Sequence, residues 1–116
     1  MLKKLTQADC LAAIASGEFP ESIRSSAPKV AIVLTQGWCH QWGWMESYLG
    51  EISSRPGVDI YWVAYDEEPF FDEFRSFKER VFGNDQVPYV RYYSLGSLKR
   101  SSNYIDKSGF LRLLGA

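Results

Sequence analysis

The chain has 116 residues, close to the roughly 100–150 of a typical domain, so a single domain over 1–116 is expected. Hydrophobic residues make up 46% and charged residues 23%, enough for a core and ordinary for a globular protein. Lys plus Arg is 13 and Asp plus Glu is 14, a net charge of −1, which argues against nucleic-acid binding because phosphates demand a basic excess.

No apolar run reaches the ~18 residues of a membrane span, so no membrane partner is expected. Lys3 and Lys4 precede a stretch that Gln7 and Asp9 interrupt, unlike a signal peptide, and Ala8-Asp9-Cys10 is a poor lipoprotein cleavage site. A cytoplasmic protein is expected. Two cysteines, Cys10 and Cys39, make one bridge or none, which is no disulfide framework.

The first predicted element is a helix over about 6–16. Thr6 followed by Asp9 forms a capping box, Leu5 and Cys10 a hydrophobic staple, and Gly17 a stop. Residues 18–29, with Pro20, Pro28 and four serines, read as a loop. Val30 to Thr35 is a continuous apolar, β-branched run, which fits a strand buried on both faces. Gln36-Gly37 breaks it, and a helix over about 40–54 ends before Arg55-Pro56-Gly57. Val58 to Tyr65 is a second strand, with Val58, Ile60, Trp62 and Ala64 on one face.

Glu67 and Glu68 before Pro69 predict a helix start, and Phe70, Phe74, Phe77 and Val81 recur at helical spacing until Gly83-Asn84. Tyr89 to Ser94 is an extended run, and Leu95-Gly96 turns it into a returning strand over about 97–104. Tyr92 and Tyr93 point to opposite faces, so one of them is expected in the core. A last helix starts at Asp106. The order gives a parallel βαβ unit followed by an antiparallel hairpin, packed as a four-stranded mixed sheet with helices on both faces, an α/β fold.

On this order of elements, Trp38-Cys39-His40-Gln41-Trp42 resembles the Trp-Cys-x-x-Cys motif of the thioredoxin superfamily, and Val87-Pro88-Tyr89 resembles its cis-proline. The resemblance runs from about residue 29 to 114. It implies a thioredoxin-like fold in which Cys39 starts a helix and Pro88 orients an extended client. Three departures are clear. Trp42 stands in place of the second cysteine, Val33 where many thioredoxins bury an acidic residue, and the only histidine, His40, directly follows Cys39. A dithiol oxidoreductase is therefore not implied; a monothiol variant is.

A thiolate at a helix start is favoured by the dipole, by about 0.3–1 kcal/mol and up to about 2 when partly buried. Such a group attacks a disulfide but stops at the mixed disulfide unless a second thiol resolves it. Cys10 reads as a small buried apolar side chain, so external glutathione or a partner thiol is the better resolver. Cys39 and His40 as metal ligands fall short of the three or four a zinc site needs, so no metal is expected.

Trp42 and Trp44, two apart on a helix, cannot face the same way, so one is expected on the sheet and one near the surface. Trp38, Trp42 and Tyr89 form either an aromatic client surface around Cys39 or simple packing. Lys99-Arg100 reads as a charged protective edge. Two functions remain open. One is thiol–disulfide exchange with Cys39 as catalytic residue and Trp38, His40, Trp42, Val87, Pro88 and Tyr89 contacting a client protein or peptide. The other is a non-catalytic peptide-binding or adaptor module that keeps the fold.

Overall fold

The computed structural model describes all 116 residues. Strand β1 (Leu2–Lys4) leads to helix α1 (Gln7–Ser16) and a one-turn helix α2 (Glu21–Arg24). Strand β2 (Lys29–Thr35), helix α3 (His40–Ser53) and strand β3 (Val58–Ala64) form the parallel βαβ unit. A 3₁₀ turn over Tyr65–Glu67 precedes helix α4 (Phe71–Arg80). The hairpin β4 (Tyr89–Ser94) and β5 (Ser97–Ser102) and helix α5 (Lys107–Leu114) complete the chain.

The sheet has five strands in the order β1-β3-β2-β4-β5, one more than the sequence pattern predicts. The additional β1 pairs parallel with β3, Leu2 opposite Ile60. Its three residues are all exposed, so they carry no alternation to detect. The region 18–29, expected as loop, holds α2, which buries only Ile23. Helix α4 starts at Phe71, two residues past the expected start at Pro69, because Phe70 (φ −96°, ψ 21°) still lies outside helical geometry and serves as the N-cap.

Central β2 is closed on both sides, and its alternating side chains feed two cores. Val30, Ile32 and Leu34 meet α1 and α4 through Cys10, Ala13, Phe74 and Phe77. Ala31 and Val33 meet α3 and α5 through Trp42, Met45, Leu49, Ile52, Phe110 and Leu114. Large apolar side chains contribute about 1.5–3 kcal/mol each on burial, so these stripes hold the helices to the sheet. Tyr92 and Tyr93 are both buried, one in each layer, where the sequence predicts only one in the core. Helices cover both faces at β4, so neither alternate position is left to solvent.

Helix α1 carries the expected cap: Thr6 Oγ1 accepts from Asp9 N–H at 3.1 Å, and Asp9 Oδ2 from Thr6 N–H at 3.0 Å. The hairpin turns through Leu95 (φ 50°) and Gly96 (φ 84°), a pair of left-handed residues that suits the twist of the strands.

Candidate functional site

Strand β2 delivers the chain at Thr35 to a short loop that ends in Cys39, the N-cap of α3. The Cys39 N–H donates to Gln36 O at 3.1 Å, closing the loop. Across from it the Val87–Pro88 bond is cis. The Cys39 thiol makes a long contact of 3.9 Å to the carbonyl oxygen of Val87, so sulfur and proline bond meet although 48 residues separate them in the chain. Only 7% of Cys39 is exposed.

The residues expected around the thiol divide into two groups. Trp38 is 65% exposed, its indole N–H donating to Gln36 Oε1 at 2.5 Å, and His40 is exposed at the first turn of α3 without a hydrogen bond to the sulfur. Trp42 is buried instead, its ring 5.6 Å from that of Trp62. Tyr89 lies in the opposite layer, where its hydroxyl accepts from Arg91 at 3.1 Å and its ring neighbours Phe82. An aromatic surface of Trp38, Trp42 and Tyr89 therefore does not form: packing on β3 takes Trp42, and strand alternation turns Tyr89 away. Trp44, 59% exposed and stacked edge-on against Tyr104, is the second indole at the surface.

Supporting groups come from segments that no motif marks. The Gly37 N–H donates to Asp66 Oδ1 at 2.8 Å, and Gln36 Nε2 to the Tyr65 hydroxyl at 3.3 Å. The Glu67 carboxylate occupies the space a Cβ on residue 37 would need, so any side chain there would have to displace it. On the proline side, Lys78 is buried and donates to Gln86 O at 2.6 Å, Asn84 O at 3.0 Å and Asn84 Oδ1 at 3.1 Å. Burial pushes the Lys78 amine down to about 8. Asn103 Nδ2 donates to Pro88 O at 3.0 Å. Lys78 and Asn103 thus hold the segment that presents Pro88 from both sides. Lys78 falls four residues after Phe74, on the apolar face of α4, and that spacing is the one sequence signal of its burial.

Cys10 is fully buried in the layer of α1, on the other side of the sheet from Cys39, and both thiols are free. Burial, helped by the Asp9 carboxylate, pushes the Cys10 thiol up to about 12. Val33 sits in the layer beneath Cys39, where its methyl groups supply neither a proton donor nor an acceptor.

No family model matches the sequence, and no curated protein does. Solved structures do match. Thioredoxin O1 from Arabidopsis thaliana in its oxidized state superposes with a TM-score of 0.70 at 16% identity, over 98% of this chain and 95% of that one. A thioredoxin from Halobacterium salinarum gives 0.69 at 13% identity, over 97% and 86%. The oxidised thioredoxin of Plasmodium falciparum gives 0.67 at 17%, over 99% and 96%. With helices on both faces of a mixed sheet, and a cis-proline loop facing the start of α3, the chain has the thioredoxin fold.

Proposed function

We propose that the chain carries out thiol–disulfide exchange through one thiol, Cys39, by way of a mixed disulfide. The observation that carries this reading is the contact of the Cys39 thiol, at the helix start, with the carbonyl of the cis Val87–Pro88 bond. The Cys39 thiolate attacks a disulfide such as a glutathionylated client; a Cys39–glutathione bond forms, and the client sulfur leaves as a thiol after taking a proton. A second glutathione then attacks that bond, oxidised glutathione departs, and Cys39 is restored. Cys10 takes no part, because the sheet stands between the two sulfurs. Trp38 and His40 line the approach at the surface; Val87 and Pro88 offer backbone to an extended client; Trp42 supports the helix from beneath. The cytoplasm, where thiols are kept reduced, suits a protein with two free cysteines.

The test compares wild type with Cys39→Ser. Wild type takes one glutathione from oxidised glutathione, seen by mass spectrometry, and fails to turn over insulin disulfides. Cys39→Ser takes none. Uptake undiminished in Cys39→Ser, or robust insulin reduction by wild type, overturns the proposal.

A second reading, a peptide-binding module without chemistry, is favoured by the seclusion of the thiol beside exposed Trp38 and Trp44. It requires peptide affinity to survive Cys39→Ser and to fall on Trp38→Ala.

A further inference from the structure

A second concave site lies at the other end of the sheet. Lys29 opens β2 and Cys39 lies four residues past its last residue, Thr35, so about 20 Å of strand stands between the two regions. The cleft there has a volume of about 340 Å³ and is lined by Lys29, Ser94, Lys99, Arg100, Leu113 and Leu114 among others, with no carboxylate. The chain's four ion pairs use Met1, Lys4, Arg91 and Lys107, which leaves the three cations of the cleft without an acidic partner.

Their convergence depends on an irregularity in β5. Regular alternation sends consecutive residues to opposite faces of a sheet. Here Tyr92 pairs with Arg100 and Tyr93 with Leu98, so Lys99 is an extra residue in a bulge. Bulges re-aim side chains, and this one brings Lys99 and Arg100 to the same cleft. Lys29 Nζ donates to Ser94 Oγ at 3.1 Å and stands beside Gly115, where it offsets the partial negative charge at the end of α5. Lys99 and Arg100 remain unopposed. Leu113, half-buried, adds an apolar wall, with Leu114 packed in the core behind it.

We propose that this cleft binds a small organic phosphate, its dianion held between Lys29, Lys99 and Arg100 and its apolar body against Leu113. Arg supplies a planar fork and Lys a point charge, a pairing suited to a phosphate monoester. The site is independent of Cys39, so its failure leaves the exchange proposal standing.

Phenyl phosphate is the probe, titrated into the whole chain labelled with nitrogen-15, with inorganic phosphate and phenol as the other arms. The proposal expects saturable amide shifts centred on Lys29, Ser94, Lys99 and Arg100, with phenyl phosphate at least about threefold tighter than inorganic phosphate and phenol not saturating. Lys99→Ser combined with Arg100→Ser should weaken binding by about tenfold or more, while Arg55→Ser combined with Arg80→Ser, exposed and outside the cleft, leaves it unchanged. Shifts spread over all exposed cations, or equal losses in the two double variants, overturn the site. Inorganic phosphate binding as tightly as phenyl phosphate overturns the organic ligand.

Discussion

The layer beneath α1 and α4 and the layer beneath α3 and α5 are both closed to solvent, yet their chemistry differs. The first carries a buried polar cluster: Arg91 donates to Tyr93, Tyr89 and Glu18, Tyr93 donates to Glu18, and Lys78 sits nearby beneath Tyr89. No buried side-chain polar atom lacks a partner. The second is nearly all apolar, with Trp42, Met45, Leu49 and Ile52 stacked along one stripe of α3. The thiol of Cys39 is positioned by the apolar layer, and the Pro88 segment by Lys78 from the polar one. The candidate site lies where the two meet, so packing fixes one half of it and hydrogen bonds fix the other.

The largest expected effect breaks the apolar half. Trp42→Ala removes an indole packed on Trp62 and should cost about 3–5 kcal/mol in urea unfolding. Trp42→Cys should lose stability for the same reason, while placing a sulfur three residues beyond Cys39; insulin turnover above wild type would reveal it. In the polar half, Lys78→Met leaves the Asn84 and Gln86 oxygens without their donor, a loss of about 1–3 kcal/mol. If Lys78 positions the Pro88 segment, this variant also slows glutathione uptake by Cys39, whereas an equally destabilising change at Arg91 does not.

Two groups of the α1/α4 layer titrate in opposite senses. Between about pH 8 and 10.5 the unfolded chain holds a proton on Lys78 that the folded chain has released, so this group makes stability rise with pH. Cys10 acts in the other sense: its stabilisation is complete below pH 9.0 and is lost as pH climbs towards about 12, because the unfolded thiol ionises first. Between pH 9 and about 10.5 the two slopes, each at most about 1.4 kcal/mol per pH unit, largely offset one another, so denaturation curves should fall only above about pH 10.5, and Cys10→Ala should reduce that fall. The smallest effect lies outside both layers. Leu95 is 81% exposed at φ 50°, and Leu95→Asn should stabilise the hairpin by about 0.5–1 kcal/mol, read as a shift in the urea midpoint.

Elements with strong patterns were legible in the sequence. The apolar run of β2, the capping box at Thr6 and the stop at Gly17 predict boundaries that agree with the structure to within a residue. Short or exposed pieces such as β1 and α2 bury too little to leave a pattern. Around the thiol, the resemblance to the Trp-Cys-x-x-Cys and cis-proline motifs pointed to Cys39, Val87 and Pro88, while the fates of Trp42 and Tyr89 depended on which layer each ring entered. Hydrogen bonds such as Asn103 to Pro88, 15 residues apart in the chain, leave no periodic trace at all.

Strand β2 has no accessible surface from Val30 to Leu34, and it is paired along both edges. Its amides can exchange with deuterated water only when the whole domain opens, whereas the exposed Gly37 and Trp38 lie two and three residues past its end. The protein's slowest and fastest exchanging amides should therefore be near neighbours. Any group bonded to Cys39 would pull, through the three-residue loop Gln36–Trp38, on the last part of the molecule to let go.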